Sequence, residues 1–353
     1  MNKRALIAMS GGVDSSVAAY LTKQAGYDCI GVTMRLYDGE DEGVSKTCCS
    51  ADDVEDAKSV ARKLNIPHHT FNFKSDFKSK VIDNFIKAYE CGATPNPCID
   101  CNRYLKFDAL YTRAKELGCD YIVTGHYARI KKADDGFRLC RAAAREKDQS
   151  YVLYSLNRDL LSHTLFPLGG LSKDETRKIA TQQGFYNADK PDSQDICFIP
   201  DGDYASFIKK QTGREYPQGD FVDINGNILG RHKGIINYTI GQRKGLGIAL
   251  GAPAYVKEID VKNNRVVLCK DEELYTDCLC AEKFNWVSGE VPKEGVSCKA
   301  MVRYRGALKS AVAIPTGDNM VTVKFSEPQR AVTKGQAVVL YDGDTVIGGG
   351  TIV

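Results

Sequence analysis

Ser10-Gly11-Gly12-Val13-Asp14-Ser15-Ser16 follows a short apolar run, residues 5–9, and opens a stretch in which Val17, Tyr20 and Leu21 share one helical face. Strand, glycine turn and helix start, in that order, aim backbone N–H groups and a helix dipole at an anion. Gly11 and Gly12 permit positive φ and a close approach of backbone to ligand. Ser10, Ser15 and Ser16 supply hydroxyls, and Asp14 is placed to hold a Mg²⁺ on bound phosphates. The heptad reads as a phosphate cradle, but not as a Walker loop, which ends in Gly-Lys-Ser/Thr; here no lysine follows the glycines before Lys23. A dinucleotide fingerprint needs a third glycine, also missing. A plain Gly-Gly turn with polar caps explains the tripeptide alone, and the whole heptad directly after a strand outweighs it.

Outward from the heptad, strand and helix patterns alternate. Residues 27–36 read as a second buried strand. Residues 50–64 read as a helix, with Val54, Ala57, Val60, Ala61 and Leu64 at helical spacing. A third strand is expected over 68–73, a helix over 77–89 and a further strand over 121–124. This alternation predicts a doubly wound parallel sheet, whose ligands lie at the carboxyl ends of strands. The heptad, Met34 and Gly125-His126 would then surround one pocket. Lys147-Asp148-Gln149-Ser150-Tyr151 reads as the opening of another helix, and 173–183 as a helix. Beyond residue 200 the chain turns glycine-rich and strand-like, and from about 281 short alternating strands recur, as in a small antiparallel barrel. The expected organisation is an α/β domain over 1–200, a central domain over 201–280 and a C-terminal β-barrel over 281–353. No internal repeat or low-complexity tract interrupts it.

With 353 residues, 26% charged and 43% hydrophobic, the chain has room for two or three packed cores and reads as soluble and globular. No apolar run approaches the ~18 residues of a membrane span, and the apolar part of the first nine residues is too short for a signal peptide. The net charge of +3 permits a nucleic-acid partner through a local patch without announcing one. Thirteen cysteines, without a secretion signal, read as reduced thiols of the cytoplasm rather than a disulfide framework. Cys29, Cys119, Cys140, Cys269 and Cys298 sit in or beside apolar runs, as buried hydrophobes do.

Cys48, Cys49, Cys98, Cys101 and Cys197 stand apart. In Asn96-Pro97-Cys98-Ile99-Asp100-Cys101-Asn102, Cys101 falls where a helix is expected to begin, and a helix N-terminus makes a thiolate more available. A zinc half-site or a structural turn also accounts for this pair, although the spacing of Cys278 and Cys280 offers no matching half. Cys197 lies in a short turn between Ile196 and Phe198, where an inert core cysteine is the ordinary occupant.

Taken together these stretches resemble two nested families. The heptad resembles the PP-loop of ATP pyrophosphatases, the adenine nucleotide α-hydrolase-like fold. The whole chain resembles the tRNA-specific 2-thiouridylases (MnmA or TrmU). That resemblance rests on residues 10–16, Thr47-Cys48-Cys49-Ser50, Asn96 to Asn102, Thr124-Gly-His-Tyr-Ala-Arg129, Lys147-Asp-Gln-Ser150, Ser193-Gln-Asp-Ile-Cys-Phe198, residues 238–247, Gly335-Gln336 and Gly348-Gly-Gly350.

The resemblance implies 2-thiolation of the wobble uridine of tRNAs for Lys, Glu and Gln, with ATP and Mg²⁺. AMP goes to the C2 oxygen, pyrophosphate leaves, and a persulfide on Cys197 delivers sulfur to C2. Cys101 then resolves the persulfide by forming a disulfide with Cys197. The sulfur would come from a cysteine desulfurase or a sulfur-relay protein. By matching motifs, Ala8, Met9, Ser10, Gly11, Gly12, Val13, Asp14, Ser15, Met34 and Gly125 bind ATP. Asn96, Pro97 and Cys98 meet the target base. His126, Lys147, Asp148, Gln149, Tyr304, Arg305 and Gln336 contact tRNA. Some family members carry Asp at the position of Cys98, and an iron–sulfur cluster on Cys98, Cys101 and Cys197 is the alternative the family leaves open. A PP-loop ligase of a small molecule, or an RNA-binding or thiol redox module without turnover, are the competing readings. The former leaves Cys101, Cys197 and the barrel without a role.

Overall fold

A computed structural model describes residues 3–37, 51–134, 136–191, 196–248 and 250–353. Cys48, Cys49 and the Thr47–Ser50 motif lie outside these residues, as do Ser193, Gln194 and Asp195. The early strands are β1 (Arg4–Ala8), β2 (Asp28–Arg35), β3 (His68–Asn72), β4 (Tyr121–Val123), β5 (Ala128–Ala133), β6 (Gly136–Arg141) and β7 (Thr164–Leu165). Five of them form a wholly parallel sheet in the order β3-β2-β1-β4-β7. The helices are α1 (Val13–Gln24), α2 (Ala51–Lys63), α3 (Lys74–Phe77), α4 (Asp83–Glu90), α5 (Pro97–Asp100), α6 (Leu110–Glu116), α7 (Arg158–Ser162), α8 (Lys173–Gln182) and α9 (Tyr204–Thr212).

The sheet is doubly wound because β1 is apolar on both faces. Ala5, Leu6 and Ile7 have no exposed surface. Leu6 joins Val32, Phe85, Leu105 and Leu110 on one side, while Ala5 and Ile7 join Val17, Val60 and Ala61 on the other. The strand order reverses between β1 and β4, which opens a crevice at their carboxyl ends. Two π-helical stretches interrupt the helices, Lys78–Ile82 between α3 and α4 and Cys101–Ala109 between α5 and α6. Such turns gather at functional sites. The expected helix at 147–151 does not form. Two 3₁₀ turns, Arg145–Lys147 and Ser150–Leu153, stand there, divided by Asp148 and Gln149.

Strands β8 (Gly219–Val222), β9 (Ile228–His232), β10 (Tyr255–Asp260) and β11 (Arg265–Cys269) make a central sheet in the order β10-β11-β8-β9. Its Phe221, Val256 and Val266 share a core with Leu6 and Phe85 of the first domain. The remaining strands are β12 (Tyr275–Trp286), β13 (Val296–Met301), β14 (Lys309–Gly317), β15 (Met320–Arg330), β16 (Ala337–Asp342) and β17 (Thr345–Ile352). Position 281 lies inside β12. These strands run in the order β12-β15-β14-β13-β16-β17, and β12 pairs with β17 to close an antiparallel barrel. The β5–β6 hairpin of the first domain extends this sheet through the pairing of Cys140 with Thr345.

The barrel therefore lies on the first domain as part of its core. Tyr151 donates to the carbonyl of Ala337 (2.8 Å), Asn285 Nδ2 donates to the carbonyl of Tyr154 (2.7 Å), and Arg129 and Arg145 share Asp344. Tyr151, Tyr154 and Tyr341 are almost wholly buried at this contact, and burying side chains of this size contributes on the order of 2 kcal/mol each. The closing Gly348-Gly349-Gly350 of β17 makes the approach. A Cβ on Gly349 would lie 2.7 Å from the Tyr154 ring and 2.9 Å from the Val338 carbonyl, and one on Gly350 would lie 2.8 Å from Phe284. Among the described residues no helix is long and apolar enough to cross a membrane.

Gly349→Ala is predicted to overpack this junction and lower stability by about 1–3 kcal/mol, read as a lower thermal midpoint with a single transition. Separate melting of the two parts in the wild type would contradict the shared core.

Candidate functional site

The cradle is built from buried and open positions in alternation. Met9, Gly11, Val13 and Ser15 are buried, while Ser10 is exposed and Ala8, Gly12 and Asp14 are partly so. Ser15 Oγ ties the turn by accepting from the Ser10 amide (3.2 Å) and donating to the Gly12 carbonyl (3.0 Å). Only one of the two glycines needs a left-handed backbone. Gly11 has φ +72°, and a Cβ there would overlap the backbone carbonyl of Asp53. Gly12 has φ −89° and caps α1, and a Cβ there would meet only Ser10 Oγ at 3.6 Å. The N–H groups of the first turn of α1 have no acceptors within the helix. Open space above Gly12, those N–H groups and the helix dipole fit a phosphate.

Gly125 borders the same place. A Cβ on it would lie 2.8 Å from the Ser15 amide nitrogen, so the turn after β4 presses on the start of α1. Met34 lies one residue before the end of β2 with its side chain in the core. Asp14, expected to meet Mg²⁺, already accepts at Oδ1 from Lys173 Nζ and from the Tyr127 hydroxyl, both at 2.8 Å. One carboxylate completed by nucleotide phosphates is an ordinary Mg²⁺ environment, so Asp14 fits that role beside a fixed lysine. Behind the loop, Asn187 Nδ2 donates to the Gly11 carbonyl and Ser16 Oγ, and Lys190 bridges Asp53 (2.5 Å) and Asp56 (2.7 Å). Sequence reasoning missed Tyr127, Lys173, Asn187 and Lys190. Tyr127 and Asn187 are buried and the two lysines half-buried, all through long-range contacts.

The cysteine helix starts earlier than its sequence suggests. Asn96 caps α5 by accepting from the Cys98 amide (3.1 Å), with Pro97 at the first position. Cys98, exposed, therefore occupies the helix N-terminus expected for Cys101, which begins the π-helical stretch one turn on. The barrel holds this loop: the Thr94 amide donates to the Lys334 carbonyl and Gln336 Nε2 to the Thr94 carbonyl, both at 2.8 Å. Cys101, Ile196 and Cys197 all pack against the core shared with the central domain. Phe198 anchors that segment among Phe77, Phe85 and Phe207 at ring distances of 5.3–5.5 Å. No three His, Cys, Asp or Glu side chains converge among the described residues in the manner of a metal site. Cys98, Cys101 and Cys197 do not fit an iron–sulfur cluster in this arrangement. Burial pushes the thiols of Cys29, Cys119 and Cys298 up to about 11, as expected of inert cysteines.

The residues expected at tRNA divide in two. Arg305 is exposed and its guanidinium lies 5.5 Å from the ring of half-buried Tyr304, which stands 5.9 Å from Tyr151. Lys147 is partly exposed. Among the others only His126 is buried, while Asp148, Gln149 and Gln336 are half-buried. His126 is 7% exposed, 2.7 Å from Thr124 Oγ1 and against Phe107 and Phe166, and burial holds it neutral, well below its ordinary pKa. Asp148 accepts from Arg141 Nε, the Ala142 amide and Ser150. Gln149 accepts from the Tyr127 amide (2.9 Å). Gln336 is likewise occupied at Thr94, so each of these four has a partner within the protein.

Fold and cradle together define a HUP-type nucleotide-binding enzyme with two β domains added after it. Residues 3–201 match the family described as "tRNA methyl transferase HUP domain", 205–270 the "tRNA methyl transferase PRC-barrel domain" and 276–352 the "Aminomethyltransferase beta-barrel domain". The chain is 51% identical over 355 residues to the tRNA-specific 2-thiouridylase MnmA of Lachnoclostridium phytofermentans, covering 99% of both. It is 50% identical to that of Clostridioides difficile, over all of this chain and 98% of the relative. Among solved structures, a 4-thiouridine synthetase–RNA complex with bound ATP aligns with TM-score 0.40 and 19% identity, over 60% of this chain and 50% of that one. The chain belongs to the MnmA family of tRNA-specific 2-thiouridylases.

The two glycines are predicted to separate fold from ligand. Gly11→Ala should lower the thermal midpoint, since a strained φ costs about 1–3 kcal/mol before any overlap. Gly12→Ala should keep the midpoint and lose ATP affinity in titration calorimetry. Equal behaviour of the two would contradict the assignment.

Burial raises the Asp100 carboxyl from 3.8 to about 6, against the opposing pull of Arg103, Asn84 and Lys283. The folded protein then holds this proton more tightly than the unfolded chain, so the associated stability is present below the ordinary carboxylate pKa and lost as pH rises through about 6. Thermal melts should show Asp100→Asn gaining on the wild type across that interval. A constant gap would mean that Asp100 titrates normally.

Proposed function

We propose that this protein thiolates C2 of the wobble uridine in tRNAs for Lys, Glu and Gln, in a reducing, cytoplasmic setting. What carries the reading is the half-identity over the whole chain to relatives of that name, together with an intact cradle, Cys101 and Cys197. ATP lies along residues 8–15, with Met34 and Gly125 bounding the crevice, and Asp14 would hold a Mg²⁺ that would offset the phosphate charge. Asn96, Pro97 and Cys98 receive the uridine, which leaves the anticodon stack to enter. Tyr304, Arg305 and Lys147 grip the RNA, while His126, Asp148, Gln149 and Gln336 hold the loops that do so.

The C2 carbonyl is amide-like and its oxygen is a poor leaving group. Attack of that oxygen on the α-phosphorus forms the O–P bond and expels pyrophosphate with the electron pair. The terminal sulfur of a Cys197 persulfide, loaded by a cysteine desulfurase or relay protein, then adds to C2. Cys101 attacks Cys197 Sγ and forms the Cys101–Cys197 disulfide. The sulfur left on C2 keeps the electron pair of the broken S–S bond, and AMP leaves. A thiol reductant restores both cysteines.

Single turnover without reductant is the test. Pyrophosphate release should require tRNA and not occur with free nucleotides. Peptide mass spectrometry should find the Cys101–Cys197 disulfide in the wild type. Cys101→Ser should load a persulfide on Cys197 and stall, and Cys197→Ser should accept no sulfur. Thiolated tRNA formed with both thiols still free would refute the persulfide route.

A further inference from the structure

Lys173 is the first residue of α8, directly after Ser172, whose side chain forms a reciprocal capping box with Glu175. That box fixes where α8 begins, and with it the point from which the lysine departs. The side chain is only 12% exposed, and its ammonium reaches Asp14 across 159 residues of chain. Asp14 stands in the first turn of α1, where the helix dipole already favours a carboxylate. Tyr127 holds the same oxygen, and its hydroxyl lies 3.0 Å from Thr176 Oγ1 on α8. The carboxylate is therefore oriented and stabilised without the lysine. What the lysine adds is a positive charge at the open edge of a phosphate loop that has none of its own. Asp14 is about one-third exposed, so the ammonium has a path to the crevice.

We propose that Lys173 supplies the charge that a Walker loop takes from its own lysine: with ATP bound, its ammonium contacts the β- and γ-phosphate oxygens that depart as pyrophosphate. In the adenylation step the α-phosphorus–oxygen bond breaks toward the β-phosphate. The electron pair stays on pyrophosphate, whose added charge the ammonium neutralises without giving up a proton. This rests on the reading that the phosphates of ATP lie on residues 10–15.

Titration calorimetry with ATP, AMP and inorganic pyrophosphate on the full chain tests it. Lys173→Met should weaken ATP and pyrophosphate about tenfold or more, the worth of one charge-assisted hydrogen bond, and leave AMP unchanged; Lys173→Arg should recover part of the loss. Equal weakening of ATP and AMP, or no weakening, would make Lys173 only a tie between α1 and α8. Gly12→Ala is the control for the cradle. If it impairs ATP binding while Lys173→Met does not, this proposal alone falls. If Gly12→Ala leaves ATP binding intact, the cradle reading falls and takes the proposal with it. A measurement on the wild type covers a variant that fails to fold: acetylation of the Lys173 amine, followed by mass spectrometry, should be slowed by ATP and pyrophosphate but not by AMP. Equal acetylation with and without ATP would overturn the proposal.

Discussion

Strand β17 crosses the face of Tyr154 at Gly349 with no side chain between them, and much of the site depends on that approach. Any Cβ would lift the strand, and with it the turn at 334–336 that precedes it by one hairpin. That turn grips the 93–98 loop through Thr94 and leaves no room for a side chain at Gly335. The barrel thereby sets the position of Asn96 and Cys98, although neither belongs to it. The same docking brings Tyr304 against Tyr151 and close enough to Cys98 for the two to influence each other electrostatically. A β domain that reads as an appendage thus forms one wall of the crevice.

The cradle is likewise an assembly rather than a local motif. Its glycine turn keeps its shape because Asp53 backs Gly11 and Asn187 binds the Gly11 carbonyl. Lys190 closes the back of the loop onto α2 and immediately precedes Pro191, which starts the segment leading to Cys197. A shift in the phosphate loop is therefore felt at the root of the segment that carries the cysteine. Removing Lys190 would leave two half-shielded aspartates without their counter-charge at that root.

Much of this was legible in the chain. Residues 5–7, apolar on both faces, announced a central parallel strand, and the heptad announced the glycine turn and helix beyond it. The hairpin at 128–141 was not legible, because β5 mixes Ile130 with Arg129, Lys131 and Lys132, and its reason for existing is a strand some 200 residues away. Asp148 looked like a helix cap because its type suits one, yet Arg141 and Ala142 claim its carboxylate first. His126 was placed at tRNA by the resemblance alone, and nothing local to it announces its burial against Phe107 and Phe166. The early start of α5 had a local signal, Asn96 before Pro97, in the arrangement of cap and first position. Residue type reveals chemistry, whereas which polar groups turn inward is decided by contacts that span the domains.

Thirteen thiols in one chain raise a selectivity problem for the sulfur route proposed here. A desulfurase delivers sulfur to a nucleophilic thiolate, and any accessible thiolate competes. Burial removes several competitors. Cys29, Cys119 and Cys298 stay protonated at neutral pH because the fold withholds water from them, and Cys269 is shifted in the same direction. Among the described cysteines three remain exposed: Cys91 at the end of α4, Cys280 on β12 beside Thr322, and Cys98 at the start of α5. Cys101 and Cys197 sit between these extremes, half-buried against one shared core. That intermediate burial suits a persulfide, which needs access for one loading step and shelter from reductants afterwards. On the proposed route, depth in the fold separates Cys101 and Cys197 from both the buried and the exposed thiols.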